Sequence, residues 1–412
     1  MFERISRQSF RLEKMIPVAA GHVRVEPAQR PPPVQINPFS SIVRPAICGR
    51  RGAIAAAHPL AAAAGQHAFA QDGSAADAVI AAQAMLAVVS PDACGLGGDG
   101  LVLVRATGQA PVAINGAGAA AAGAKSSATT GGASVAVPGL VDAWCQMQAR
   151  WGRLDLRVTL APAISAAQDG VPVTQGLAQA RRQQSGRLMA GGAGGWALMG
   201  LESGDRFRQP ALAQTLRNIA DNGRDAFYLG PLAAAIAHAV QQTGGSMTVD
   251  DLAAPAAVVA SPISMRFGQA VVQVQPPASQ GVLLALALHG WLRGGFGADA
   301  ALAHLGVELT QAAFALRDDV SRGAALLDDL PAIDPVRAAG RGGPRSYLHT
   351  AGVAAADPDG LVMASLISVF DDFGSAVFVP EGGFTLNNRA GGLPAAAMRL
   401  RRASGPFTHW PR

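Results

Sequence analysis

Residues 351–356 and 361–369 are two largely apolar runs on either side of Asp357-Pro358-Asp359-Gly360, and no other stretch restricts the fold as tightly. Proline presets one turn angle and glycine accepts positive φ, so the segment reads as a β-hairpin. Thr350 lies ten residues before Gly360 and Ser368 eight after it. The ends of a hairpin meet in space, so two hydroxyls come together there. A threonine attacks a carbonyl only with help, and one source of help is its own free α-amine. Freeing that amine requires a cut between His349 and Thr350.

The composition is that of an ordinary folded protein. A chain of 412 residues can bury a large core, as one large domain or several smaller ones. Half the residues are hydrophobic and 15% are charged, which argues against disorder beyond the termini. The net charge of +5 comes almost wholly from scattered arginines, with lysine only at Lys14 and Lys125. A nucleic-acid binder would gather them into a stripe, so no nucleic-acid partner is expected. Arg399-Leu400-Arg401-Arg402, the densest internal cluster, reads as a solvated end.

Cys48, Cys94 and Cys145 are widely spaced, with no C-x-x-C pair, and support neither a zinc site nor a disulfide framework. Cys94 reads as a small buried side chain, with a reactive thiol as the alternative. No run approaches a membrane span. The first 45 residues carry charges throughout and lack the apolar core of a secretory signal, so the expected location is cytoplasmic. Pro27 to Pro45 reads as an extended linker.

Helices and strands alternate along the rest. Pro59 to Asp72 reads as a helix with proline in its first turn and Gly73 as its stop. Ala75 to Val89 is apolar nearly all round and therefore a buried helix. Leu101 to Val104 reads as a buried strand and Val112 to Ile114 as its hairpin partner. Residues 140–170 and 208–243 are mostly helical, the latter ended by Gly244-Gly245. A strand at Val271 to Val274 precedes helices at Gly281 to Leu292 and Ala301 to Val320. Arg337 to Arg345 is polar and rich in glycine and arginine, as an accessible approach to Thr350 would be.

Several motifs fail on context. Gly95-Leu96-Gly97-Gly98-Asp99-Gly100 satisfies G-x-G-x-x-G, but a helix precedes it and a strand follows, the reverse of a dinucleotide site. Its structural reading is close passage of backbones. G-x-S-x-G is absent, and the eight histidines show no H-E-x-x-H or i, i+4 pairing. His58 reads as a helix-entry residue, and Asp318-Asp319 and Asp328-Asp329 as solvated faces or loop turns. No metal and no cofactor is expected.

The segment from Thr350 resembles the start of the small subunit of γ-glutamyltransferases, N-terminal-nucleophile hydrolases that are made as one chain and cut themselves before a threonine. Phe373-Gly374-Ser375 and Val379-Pro380-Glu381-Gly382-Gly383-Phe384-Thr385-Leu386-Asn387-Asn388-Arg389 keep that family's spacing. So do Ala57-His58-Pro59-Leu60, Asp72-Gly73-Ser74-Ala75-Ala76-Asp77-Ala78, the glycine loop, Val135-Ala136-Val137-Pro138-Gly139, Arg208-Gln209-Pro210, Asp225-Ala226-Phe227-Tyr228 and Pro276-Pro277-Ala278-Ser279-Gln280-Gly281. The resemblance spans roughly residues 50 to 411.

It implies an α/β (α+β) fold, a four-layer αββα sandwich with two central antiparallel sheets. It divides the chain into an extension and linker at 1–45, a large-subunit-like region at 46–349 and a shortened small-subunit-like region at 350–412, the last two forming one domain. Thr350 is the implied nucleophile, His349-Thr350 the autocleavage bond, and Ser368 the hydroxyl that hydrogen-bonds the nucleophile. Phe370, Asn387 and Arg389 are the implied substrate-binding positions. The expected partner is a small-molecule amide or peptide substrate, and the candidate assemblies are a homodimer or the chain's own two cleaved fragments. Without the resemblance, Thr350 and Ser368 are merely β-formers at strand ends.

Two departures qualify the family pattern. Thr350 is followed by Ala351-Gly352 rather than a bulky pair, and positions that grip a glutamyl α-amine read Phe370, Arg389 and Gly392. No arginine occurs between Arg105 and Arg150 to hold that substrate's carboxylate. Phe370 and Asn115-Gly116 resemble a broader bacterial branch with other substrates. The second departure follows Gly405 to Pro411, where family members run on into a segment carrying oxyanion-hole glycines. Losing one such donor costs on the order of 10²–10³ in kcat. Two classes follow: an autoprocessed amidase or acyltransferase, and a catalytically silent homologue that keeps the fold.

Overall fold

A computed structural model describes residues 49–124, 128–277, 279–294, 299–329, 332–334, 336–340 and 349–392. The chain divides between Cys48 and Gly49, and all described residues lie in the second unit. Its strands are β1 (Ala53–Ala56), β2 (Asp99–Arg105), β3 (Val112–Gly116), β4 (Val171–Pro172), β5 (Arg206–Phe207), β6 (Val258–Ala260), β7 (Ile263–Phe267), β8 (Ala270–Val274), β9 (His349–Ala356), β10 (Val362–Phe370), β11 (Phe378–Val379) and β12 (Phe384–Thr385). Its α-helices are α1 (Pro59–Ala70), α2 (Ala75–Val89), α3 (Leu140–Trp151), α4 (Leu156–Asp169), α5 (Gln175–Ala190), α6 (Pro210–Asn222), α7 (Asp225–Tyr228), α8 (Gly230–Gln242), α9 (Val249–Ala253), α10 (Gly281–Gly294) and α11 (Asp299–Phe314).

The β9–β10 hairpin turns at Asp357–Gly360 as its sequence dictates. Asp357 Oδ1 accepts from the N–H groups of Asp359 and Leu361, and Gly360 takes φ +81°. The other carboxylate oxygen of Asp357 accepts from Ala75 N–H at 3.0 Å, fastening the turn to the start of α2. The hairpin lies inside a six-stranded sheet of order β1-β9-β10-β2-β3-β6, antiparallel throughout. Alternation sorts its side chains: Met363, Ser365 and Ile367 of β10 are buried, while Val362, Ala364 and Leu366 face the other way and are exposed.

The buried face rests on α2, every residue of which is buried. Val79, Ile80, Leu86 and Val88 are inaccessible to solvent, and each such side chain contributes roughly 1.5–3 kcal/mol of burial. A capping box starts this helix: Ser74 Oγ accepts from Asp77 N–H, and Asp77 Oδ2 accepts from Ser74 N–H. The opposite face of the sheet looks across a cavity towards the β7–β8 hairpin and α10, with α11 packed on α10. Gln275 joins the layers, its Nε2 donating to Val102 O at 2.7 Å and Ile114 O at 3.3 Å. The fold is the four-layer αββα arrangement, and among the described residues its second β layer is a two-stranded hairpin.

The glycine loop packs as close backbones require. A Cβ on Gly97 would lie 2.2 Å from Thr385 O, and one on Gly98 would lie 2.3 Å from Ser368 O. Among the helix ends that differ from expectation, two have a local cause. The first helix stops at Ala70, and Asp72, not Gly73, takes the left-handed conformation (φ +60°), which aspartate tolerates. The helix expected to reach Val320 ends at Phe314 and is followed by 3₁₀ turns over Arg317–Asp328, broken at Gly323 (φ +59°). Most of the Arg337–Arg345 approach, and the Arg399–Arg402 and Gly405–Pro411 segments, lie outside the described residues.

Candidate active site

The open end of the hairpin carries an irregularity that sequence spacing does not show. Pairing runs regularly up to Ile367 with Ala351, then shifts so that Phe370 pairs with His349. Phe370 takes φ +87° at this bulge, a conformation that costs a bulky side chain energy and is held by its surroundings. Val369 N–H donates to Ala93 O, Phe373 N–H to Asp92 O, and Asn388 N–H to Val369 O. The bulge turns the Ser368 hydroxyl over the start of β9. Thr350 Oγ1 donates to Ser368 Oγ at 3.1 Å, and Ser368 Oγ donates to the His349 carbonyl at 3.0 Å. Phe370 N–H completes the set, donating to Ser368 Oγ at 2.9 Å. One buried hydroxyl thus touches the threonine and the carbonyl that precedes it.

Thr350 and Ser368 open onto a cavity of about 410 Å³ between the β layers. Leu101, Leu103, Leu284 and Leu366 give it an apolar shelf, while Gln273, Gln275, Gln280 and Ser279 supply neutral polar groups. Phe370 and Arg389 line it beside the hydroxyls. Arg389 is partly spoken for. Its Nε contacts the carboxylate of buried Asp99, and its guanidinium carbon lies 5.3 Å from the Phe370 ring centroid. The pair presents a fixed, largely neutralised cation. A larger hollow, about 530 Å³, lies between α4 and α6 and contains neither hydroxyl.

Asn387 does not line the cavity. It is fully buried, its Nδ2 donates to Gly97 O and Ala136 O, and its Oδ1 accepts from Ala136 N–H and Arg389 N–H. Its amide ties the glycine loop to the Arg389 backbone. Asn388 acts likewise on the bulge, donating to Asp371 Oδ2 and accepting from Asp371 N–H.

Three acidic groups near the site escaped the sequence reading. Asp99 was legible only as part of a glycine loop, and its partner stands 290 positions away. Asp372 Oδ1 lies 2.7 Å from His349 Nε2. Burial pushes the Asp92 carboxyl above its ordinary value of 3.8, with nearby Asp372 adding to the rise and its own backbone contacts and His349 opposing it. The sequence places Asp92 and Asp372 in separate loops with no spacing that links them.

The two described thiols are poor nucleophiles. Burial raises the Cys94 thiol far above its usual range and that of Cys145 to about 11. Among the described residues, no group of three or more His, Cys, Asp or Glu side chains is arranged to hold a metal, and no helix is long and apolar enough to cross a membrane.

Residues 61–326 match the gamma-glutamyltranspeptidase family model. The chain belongs to that family. Among γ-glutamyltranspeptidase relatives, it is 34% identical over 394 residues to the oxamate amidohydrolase proenzyme of Klebsiella pneumoniae, covering 86% of this chain and 74% of that one. It is 31% identical over 406 residues to the acylase ACY 1 proenzyme of Pseudomonas sp. strain SE83, covering 87% and 72%. The cephalosporin acylase of Bacillus halodurans superposes with a TM-score of 0.73 at 27% identity, over 90% of this chain and 73% of that structure. Such relatives make this γ-glutamyltranspeptidase-family chain an amide hydrolase or transferase.

Proposed function

We propose that the chain is the precursor of a threonine amidohydrolase or acyltransferase that cuts itself between His349 and Thr350. Thr350 Oγ adds to the His349 carbonyl carbon, the C–N bond to Thr350 breaks as the nitrogen takes up a proton, and water hydrolyses the resulting ester. The products are a carboxylate on His349 and a free α-amine beside the Thr350 hydroxyl. The cut leaves fragments 1–349 and 350–412, and regions 46–349 and 350–412 together form one domain. In turnover the amine, whose ordinary pKa is about 7.7–8.0, takes the Oγ proton as Oγ attacks a substrate amide, and water or an acceptor releases the acyl group.

The observation that carries this reading is the Thr350–Ser368–His349 hydrogen-bond chain at the cavity mouth. The proenzyme relatives support it. A single Oγ can serve both steps only if it reaches the carbonyl before it and the cavity after it.

The cavity chemistry suits an acyl group with an apolar stretch and a neutral or anionic end, without a free α-amine. The leucine shelf receives the chain, and the Arg389 guanidinium, held by Asp99 beside the hydroxyls, meets a neutral or anionic group more readily than an ammonium. The test compares hydrolysis of a γ-glutamyl anilide with its glutaryl analogue, which lacks only the amine. The glutaryl compound is expected to turn over faster. Preference for the glutamyl compound contradicts the specificity, and no turnover of either by a correctly cleaved protein favours a silent homologue.

A further inference from the structure

We infer that His349 and Asp372 form a positioning pair that holds the scissile carbonyl beneath the Ser368 hydroxyl during self-cleavage; this rests on the cleavage site proposed above. The carbonyl under attack belongs to His349, so the placement of His349 fixes the angle at which Thr350 Oγ approaches. On the Thr350 side the backbone is set by the sheet. On the other side the described anchors of His349 are its pairing with Phe370 across the bulge, the Ser368 hydroxyl on its carbonyl, and its imidazole, whose Nε2 lies 2.7 Å from Asp372 Oδ1. The contact is at ion-pair distance, and no hydrogen bond from another group reaches that buried carboxylate oxygen. An otherwise unanswered buried oxygen favours the ring nitrogen strongly.

Asp372 is rigidly mounted. Asn388 holds Asp371 on one side, Phe373 N–H donates to Asp92 O on the other, and Arg187 Nη1 donates to the Asp372 carbonyl at 3.3 Å. A fixed carboxylate beside a half-exposed histidine transmits the geometry of the bulge to the scissile bond. The sheet needs neither side chain, since the strands pair through backbone. The charged groups around the pair include Asp92, Asp371 and Arg187.

The test is timed self-cleavage of the full chain made by cell-free translation. His349→Ala and Asp372→Asn are each expected to slow cleavage about tenfold or more, the effect of losing a hydrogen bond or contact to a charged group. His349→Gln, which keeps an N–H donor of similar reach, should recover to within about threefold of the unsubstituted rate. The His349→Ala/Asp372→Asn double variant should be no slower than the slower single one, because both remove one contact. Cleavage of His349→Ala at the unsubstituted rate, no recovery in His349→Gln, or effects that multiply in the double variant overturns the inference. An unsubstituted chain that stays whole overturns the cleavage reading beneath it instead. Asp372→Asn keeps size and shape and decides the matter if His349→Ala fails to fold.

Discussion

Ser368 carries more of the site than its spacing suggested. Two hydroxyls meeting at a hairpin mouth was legible from ten residues on one side of a turn and eight on the other. The bulge that points Ser368 at the His349 carbonyl was not, because a register shift leaves no mark in an apolar strand. Ser368→Ala is expected to slow self-cleavage on the order of 10²-fold by removing a hydrogen bond to the attacked carbonyl, and Ser368→Thr much less. Timed gels of freshly synthesised chain read the difference. Arg389 shows the converse: its presence was legible, its tie to Asp99 was not, since the pairing joins segments distant in sequence. Asp92 yields a stability prediction. Its folded pKa is raised, so its stabilising contribution is complete below its unfolded pKa and is lost as pH rises through the folded value. Asp92→Asn should therefore melt about 1–3 °C higher than the unsubstituted protein at pH 7, with the gap closing towards pH 4. Thermal melts at the two pH values check it.

Elements with a single strong physical cause were legible. Helix α2 appears at the expected Ala75–Val89 because an uninterrupted apolar run after a capping box has nowhere to go but the core. β2 and β3 appear because a buried run and its partner flank a turn. The glycine loop followed from order alone, helix before and strand after, which left close packing as its reason. Gly98→Ala tests that reason. The added Cβ would sit 2.3 Å from Ser368 O, so the bulge must move, at a cost of about 1–3 kcal/mol. Both a lower melting temperature and slower self-cleavage are expected. A variant that melts lower but cleaves at the full rate would separate the loop from the site. Less legible were α5 and the small aromatic core it shares, where Trp196 stacks on Phe378 at 4.9 Å. That core is assembled from three separated segments, and no local period announces it.

For the whole molecule, the sheet order has a direct consequence. β10 and all of β9 but His349 would follow the proposed cut, and they lie between β1 and β2, which precede it. The two fragments of such a cut would share one ladder of backbone hydrogen bonds, so the proposed cleavage would leave the sheet intact. The αββα fold was legible through many ordered motifs rather than through any one of them, and the matching family and relatives agree with it. The central claim is that Thr350 cuts the chain before itself. Intact mass measurement of the purified protein and of Thr350→Ala tests it directly. The account predicts two fragments for the unsubstituted protein, the second beginning at Thr350, and one uncut chain for the variant. A single mass from the unsubstituted protein, or a cut before residue 350 that persists in Thr350→Ala, would contradict it.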